Sequence, residues 1–224
     1  MQTSNKWIDQ KIMYQFLDSL NDYFKKQNKK ASIYIFGGGA LCLHGLREKT
    51  SDFDSCTLID GETDFSKAFD DIKNQCLPAI GVKSYDQRFN DTFNDMINPI
   101  FSEDRFSIFN IWLDKTKEEF QFDLIAKYTH LNVIIPPKEY LLIYRLVDLK
   151  HINPKTEQDK MDCISLLKDL NITKENKHAF FEKFSNHPKI EYIKETLSDD
   201  SIFFKEENKL ETEKGFKPIQ FKCR

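Results

Sequence analysis

The chain has 224 residues, of which 31% are charged and 40% hydrophobic, and a formal net charge of −3 at pH 7. That is ordinary for a soluble globular protein and long enough for one large domain or two small ones. The negative balance argues against a surface given over wholly to nucleic acid, though not against a local basic groove, and no apolar run reaches the ~20 residues of a membrane span. The first residues lack the apolar core of a signal peptide. Five cysteines, Cys42, Cys56, Cys76, Cys163 and Cys223, are odd in number and show no metal-ligand spacing. They fit reduced thiols, so a cytoplasmic location is expected.

In chain order, residues 7–24 read as an amphipathic helix, with Ile8, Ile12, Phe16, Leu20 and Phe24 every four residues and Leu17 beside them. A basic turn follows, carrying Lys25, Lys26, Lys29 and Lys30. Residues 32–36 form the first expected strand, bounded by glycine, and residues 39–45 a short helix. A second strand is expected over 53–59 and a helix over 65–76, where Phe65, Ala68, Phe69, Ile72 and Cys76 keep helical spacing. Residues 106–113 and 119–125 read as a β-hairpin around a charged turn, and 133–135 as a further short strand.

Pro136 and Pro137 then break the pattern, because the residue before a proline is pushed out of the helical region. Beyond them helices are expected over 138–150, from Pro154 to about Lys168, from the capping Thr173 to Phe184, over 188–197 and over 202–214. The expected architecture is α+β. A mixed β-sheet core with flanking helices occupies residues 1–135, a helical domain 136–214, and a loosely held tail 215–224.

The chemistry concentrates between Tyr34 and Asp54. Gly37, Gly38 and Gly39 follow a strand and open a helix. Lacking Cβ atoms, they let backbone approach a ligand, and a helix N-terminus offers unpaired N–H groups to a phosphate. Alone, the triplet is equally a tight turn; it is neither a P-loop nor a dinucleotide fingerprint. Asp52 and Asp54, at i and i+2 of a strand, point to one side roughly 7 Å apart. Such a pair repels unless a cation lies between them, and Mg2+ prefers oxygen ligands. Alone, Asp-x-Asp is also a solvated strand start. Asp123, in the apolar run 120–125, is a third acid that a neighbouring strand could bring to the other two, or else an edge-strand aspartate facing water.

Taken together, these features resemble the nucleotidyltransferases related in fold to DNA polymerase beta, whose signature is Gly-Gly, a short helix, then Asp-x-Asp. The finer pattern, carried by Phe36, Gly37, Gly38, Ala40, His44, Gly45, Arg47, Thr50, Asp52 and Asp54, looks most like the abortive-infection nucleotidyltransferase toxins. The segment 89–91 is similar to an aromatic-Leu-Asn-Asp element of some relatives, and the resemblance runs over about residues 30 to 168.

The resemblance implies a Mg2+-dependent enzyme moving a nucleoside monophosphate from a nucleoside triphosphate (NTP) to an acceptor hydroxyl, with the site in the cleft between the two domains. The acceptor would be a tRNA 3′ end or a protein, and a cognate antitoxin is an expected partner, as in a toxin–antitoxin or phage-defence system. It implies catalytic and metal roles for Asp52, Asp54 and Asp123, and nucleotide contacts from Gly37, Gly38, Gly39, Arg47, Thr50, Arg145, Lys160 and Asp162. Arg145 stands where relatives carry lysine, and in the segment 158–162 only Asp162 aligns with their Lys-Asp-x-x-Asp. An Arg145–Asp162 bridge between helices is the structural alternative. A module that keeps the fold and binds a nucleotide or partner without turnover is the functional alternative. His44 reads as a packing residue rather than a base.

Overall fold

The computed structural model of the chain describes residues 7–59, 65–83, 86, 88–91, 123–151, 156–185, 187, 190–198 and 203–204. These residues fall into two compact units that divide between Pro136 and Pro137. The first hairpin arm expected over 106–113 and most of the helix expected over 202–214 lie outside the described residues.

The first unit is α+β, with two sheets and three helices among its described residues. A two-stranded ladder pairs β1 (Ile8–Asp9) with β3 (Lys49–Thr50), with Ile8 opposite Thr50. Helix α1 (Gln10–Lys26) starts later than the apolar spacing suggests, because Asp9 caps it by accepting a hydrogen bond from Ile12 N at 2.9 Å. Its buried face is Met13, Phe16, Leu17, Leu20 and Phe24, so Met13 takes the place expected of Ile12.

The main sheet is mixed, in the order β5 (Phe89–Asp91), β4 (Phe53–Ile59), β2 (Ala31–Ile35), β7 (Leu131–Ile135), β6 (Asp123–Lys127). The β2–β4 and β6–β7 pairs are antiparallel; the β2–β7 and β4–β5 pairs are parallel. One face buries Ile33, Ile35, Phe53, Val133 and Ile135 completely. Helix α1 packs on that face, where Phe16 meets Phe53 edge-on at 5.7 Å and Phe89 at 4.8 Å. Each fully buried phenylalanine contributes about 2–3 kcal/mol by burial, and each ring pair about 1 kcal/mol more. On the opposite face Ser32, Tyr34, Asn132 and Ile134 are half-buried.

The residues expected to form a minor strand thus make β7, which sits beside β2 near the middle of the sheet. A bulge between Leu124 and Ala126 shifts the alternation of β6, so that Ala126 is buried and Leu124 is exposed. Helices α2 (Gly37–Leu43) and α3 (Phe65–Ala79) complete this unit's described elements.

Left-handed residues end the helices. Gly45 (φ 76°) follows α2, with Leu46 N bonded to Leu41 O at 2.9 Å and Gly45 N to Cys42 O at 3.0 Å. These two bonds make a Schellman stop and give the His-Gly step a structural reason. Asn28 (φ 53°) ends α1 in the same way, with Lys29 N bonded to Phe24 O at 3.0 Å.

The second unit is helical among its described residues: α4 (Lys138–His151), α5 (Thr156–Asp169), α6 (Lys177–Lys183) and α7 (Ile190–Thr196). Thr173 does not cap α6 directly. Its hydroxyl accepts from Glu175 N and Asn176 N in the turn before it. Tyr140, Phe180 and Phe184 pack together, the Tyr140–Phe184 pair edge-on at 5.5 Å. No helix among the described residues is long and apolar enough to cross a membrane.

Candidate functional site

Strand β2 delivers the chain to the glycine turn, and β4 returns antiparallel beside it, with Ile35 opposite Ser55. Phe36 N continues the ladder by donating to Asp54 O at 2.9 Å. The turn therefore lies directly against the strand that carries Asp54. Asp52 immediately precedes β4, and both aspartates are half-buried, neither in the core nor fully in water.

Each glycine faces a different neighbour. Gly37 has φ +54°, and a Cβ there would stand 3.0 Å from Asp54 Oδ2. At Gly38 a Cβ would lie 2.2 Å from Thr50 Oγ1 and 3.2 Å from Arg47 Nη1. A Cβ on Gly39 would press Ile35 Cγ2 at 3.0 Å and Phe53 Cδ2 at 3.5 Å. The absent side chains leave room for the Asp54 carboxylate, the Thr50 hydroxyl and the Arg47 guanidinium to approach the backbone. Thr50, 1% exposed, donates to Asp52 Oδ1 at 3.3 Å, and Arg47 Nε donates to Lys49 O at 2.8 Å. No side chain caps the N-terminus of α2. Gly37, Gly38, Gly39, Arg47, Thr50, Asp52 and Asp54 thus form one cluster.

Asp123 is not brought to that cluster. It opens β6, with β7 and β2 lying between β6 and β4. Three strand spacings separate the two backbones by roughly 14 Å. The Asp123 backbone is in register with Ile135. A metal ion bridging Asp123 to Asp52 and Asp54 finds no support in this strand order. Among the described residues no group of three or more His, Cys, Asp or Glu is placed to hold a metal ion.

The nucleotide contacts expected beyond Pro136 sit in the second unit. Arg145 on α4 reaches α5, with Nη1 3.2 Å from Asp159 Oδ1 and Nη2 3.7 Å from Asp162 Oδ2. Asp162, 3% exposed, also accepts from Gln158 Nε2 at 3.0 Å. This is the bridge between helices, and it joins Arg145 to Asp162 without Lys160, which pairs with Glu157 at 3.3 Å.

Three residues near the cluster were not legible as functional. Gln10, 4% exposed on α1, donates its amide to Cys42 O and ties α1 to α2. A polar residue at the start of an amphipathic helix reads as surface, so no pattern reveals it. His44 Nε2 donates to Pro136 O at 2.8 Å, so the imidazole serves as a brace. Arg88 presents its carbonyl to Phe53 N at 2.6 Å, between the two aspartates, while its side chain forks onto Asp86. The guanidinium holds the Asp86 carboxyl below its ordinary range, and the carboxylate in turn raises Arg88.

No family model matches the chain, and no curated protein matches it. A solved structure, that of an antigenic nucleotidyltransferase-like protein from Paracoccidioides brasiliensis, aligns over 88% of this chain and 99% of that chain at 15% identity and a TM-score of 0.42. A likeness at that level carries neither fold nor function across.

Proposed function

We propose that the chain is a Mg2+-dependent nucleotidyltransferase acting on an NTP and an acceptor hydroxyl. The observation that carries this reading is the packing of Gly37 on Asp54 and of Gly38 on Thr50 and Arg47. A turn without side chains, an arginine and two hard-oxygen donors meet at one point. A triphosphate's anionic oxygens call for such a turn and cation, and its magnesium for such carboxylates.

Asp52 and Asp54 fit the metal by donor type, and the space that Gly37 leaves beside Asp54 Oδ2 keeps that carboxylate from being crowded. When bound, magnesium would supply charge neutralisation on the phosphates and a more acidic acceptor hydroxyl. The glycine turn would set the triphosphate against β4, and Arg47 would offset its charge. Thr50 would hold Asp52 in one rotamer through its hydroxyl. The acceptor hydroxyl would give up its proton to water as its oxygen attacks the α-phosphate in line, forming a P–O bond while the bond to the leaving pyrophosphate breaks. A tRNA 3′ end or a protein hydroxyl as acceptor, and a role as the toxin of a toxin–antitoxin or phage-defence pair, belong to the same proposal. Their support is the residue pattern from Phe36 to Asp54.

One observation favours a second reading, binding without turnover. Arg145, which the resemblance makes a nucleotide contact, is engaged by Asp159 and Asp162. A transfer assay with each labelled NTP in cell extract, with and without magnesium, separates the two. The transferase reading expects label on RNA or protein, lost in Asp52→Ala/Asp54→Ala and kept in Asp123→Asn. Transfer that survives the double substitution sinks it, and magnesium-dependent NTP binding with no labelled acceptor supports the binding module.

A further inference from the structure

The end of the main sheet remote from the glycine turn gathers lysines from separate segments. Lys25 and Lys26 lie in the last turn of α1, Lys29 and Lys30 in the turn into β2, and Lys127 at the end of β6; all five are exposed. The segments are pinned to one another. Asn21 on α1 accepts from His130 N at 3.0 Å and from the Thr129 hydroxyl at 3.5 Å, and Ala31 N donates to His130 O at 3.0 Å. The left-handed Asn28 fixes the turn that carries Lys29 and Lys30. Lys127 is paired with Asn132, which lies beside Ser32, so Lys127 stands about two strand spacings, roughly 10 Å, from the start of β2.

Lys25 and Lys26 have a structural reason to be there, since cations stabilise a helix C-terminus. Lys29, Lys30 and Lys127 have no such reason. None of the five makes an ion pair with a described residue, whereas Lys138, Lys160, Lys183 and Lys194 each pair with a carboxylate. Among the described residues the exposed acids nearby are Asp18 and Asp22 on α1 and Asp70 and Asp71 on α3, on helices rather than on the two turns that bear Lys29, Lys30 and Lys127. Five exposed lysines that make no ion pair among the described residues, on a chain of net charge −3, are suited to an extended polyanion.

We infer that this surface binds the phosphodiester backbone of a nucleic acid without reading its sequence. It lies about 20 Å along β2 from Gly37, and the inference stands whether or not the glycine cluster is a transferase site. Phosphate contacts made by lysines release counterions, so log K falls with log salt by about 0.9 for each duplex phosphate neutralised.

The experiment is fluorescence anisotropy of short RNA and DNA duplexes of mixed sequence on the full chain, between about 50 and 200 mM salt. Unrelated sequences should bind alike, with a slope of about −4 to −5 for five contacts. Lys29→Gln/Lys30→Gln/Lys127→Gln should lose about tenfold or more in affinity and flatten the slope by about 3. A Lys138→Gln/Lys194→Gln control, at paired lysines, should change neither. Circular dichroism checks that each variant is folded. The inference is overturned by absence of binding at the lowest salt, by an unchanged slope in the triple variant, or by lysine-dependent binding to phosphatidylserine vesicles without binding to RNA or DNA.

Discussion

Gly38→Ala pits two effects of opposite sign against each other. Gly38 has no left-handed backbone, and it is the second residue of α2, so helix propensity alone predicts that alanine stabilises, by up to about 1 kcal/mol. The surroundings predict the reverse. The new Cβ would stand 2.2 Å from Thr50 Oγ1 and 3.0 Å from Thr50 Cβ. Thr50 is 1% exposed and held by the pairing of its strand with Ile8, so it has little room to retreat. Overpacking of this kind costs about 1–3 kcal/mol, and turning the hydroxyl away gives up its bond to Asp52, about 1 kcal/mol more. The net expectation is a loss of about 2 kcal/mol, roughly thirtyfold in the unfolding equilibrium.

Thr50→Ala removes the clashing oxygen, so the double variant should be less destabilised than the sum of the two by at least about 1 kcal/mol. Trp7, half-buried with Lys49 Nζ 5.4 Å from its ring centroid, lies beside the β1–β3 ladder that holds Thr50, so urea unfolding followed by tryptophan fluorescence reports on this part of the fold. A Gly38→Ala variant as stable as the parent, or costs that add to within about 0.5 kcal/mol, would refute the claim that the Thr50 side chain is what demands glycine at this position.

Two further predictions concern charge. Arg145→Met takes the cation from the buried Asp159 and Asp162 and should cost up to about 3–5 kcal/mol in chemical unfolding of the second unit, whereas Lys160→Ala should stay within about 0.5 kcal/mol; equal, small effects would mean the bridge is idle. Asp86, whose carboxyl Arg88 holds below its ordinary range, stabilises the fold above the unfolded carboxylate value and loses that contribution as pH falls through the lower folded value. Asp86→Asn should therefore cost about 1 kcal/mol near neutrality, and the gap to the parent should start to close only below about pH 4 and vanish below the folded value; a gap that persists unchanged into acid would contradict this origin.

What could be read from the sequence was what local chemistry decides. The strand over 53–59 and the start of the helix at Lys138 follow from alternation and from the Pro136-Pro137 break, and both are observed. Of the site, the glycines, Arg47, Thr50 and the two aspartates were legible because a short helix and a tight return bring them together within one stretch of chain. The place of Asp123 depends on topology. An acid in an apolar strand is visible in sequence, but the order of strands is not, and β7 and β2 separate it from β4. The bulge at Leu124/Ala126 likewise defeats alternation, since one extra residue moves every following side chain to the other face. The ladder of Ile8–Asp9 with Lys49–Thr50 is too short to leave any periodicity, yet it supplies the cap that delays α1 and holds Thr50 against Gly38.

The three glycines therefore answer three separate demands rather than one demand for flexibility. Gly39 is set by the core: its missing Cβ leaves space that Ile35 and Phe53 fill, and any sequence closing this turn on this sheet would feel that constraint, ligand or none. Gly38 is set by Thr50, and so by the ladder that fixes Thr50 in place. At Gly37 the demand is the left-handed φ together with the nearness of Asp54 Oδ2. A left-handed turn favours glycine whatever lies beside it. Here it brings that residue against a half-buried carboxylate, two positions from a second one whose orientation a buried hydroxyl controls. Packing accounts for Gly38 and Gly39 and backbone conformation for Gly37, and what the functional reading adds is the polar company that Gly37 and Gly38 keep: Asp54, Thr50 and Arg47.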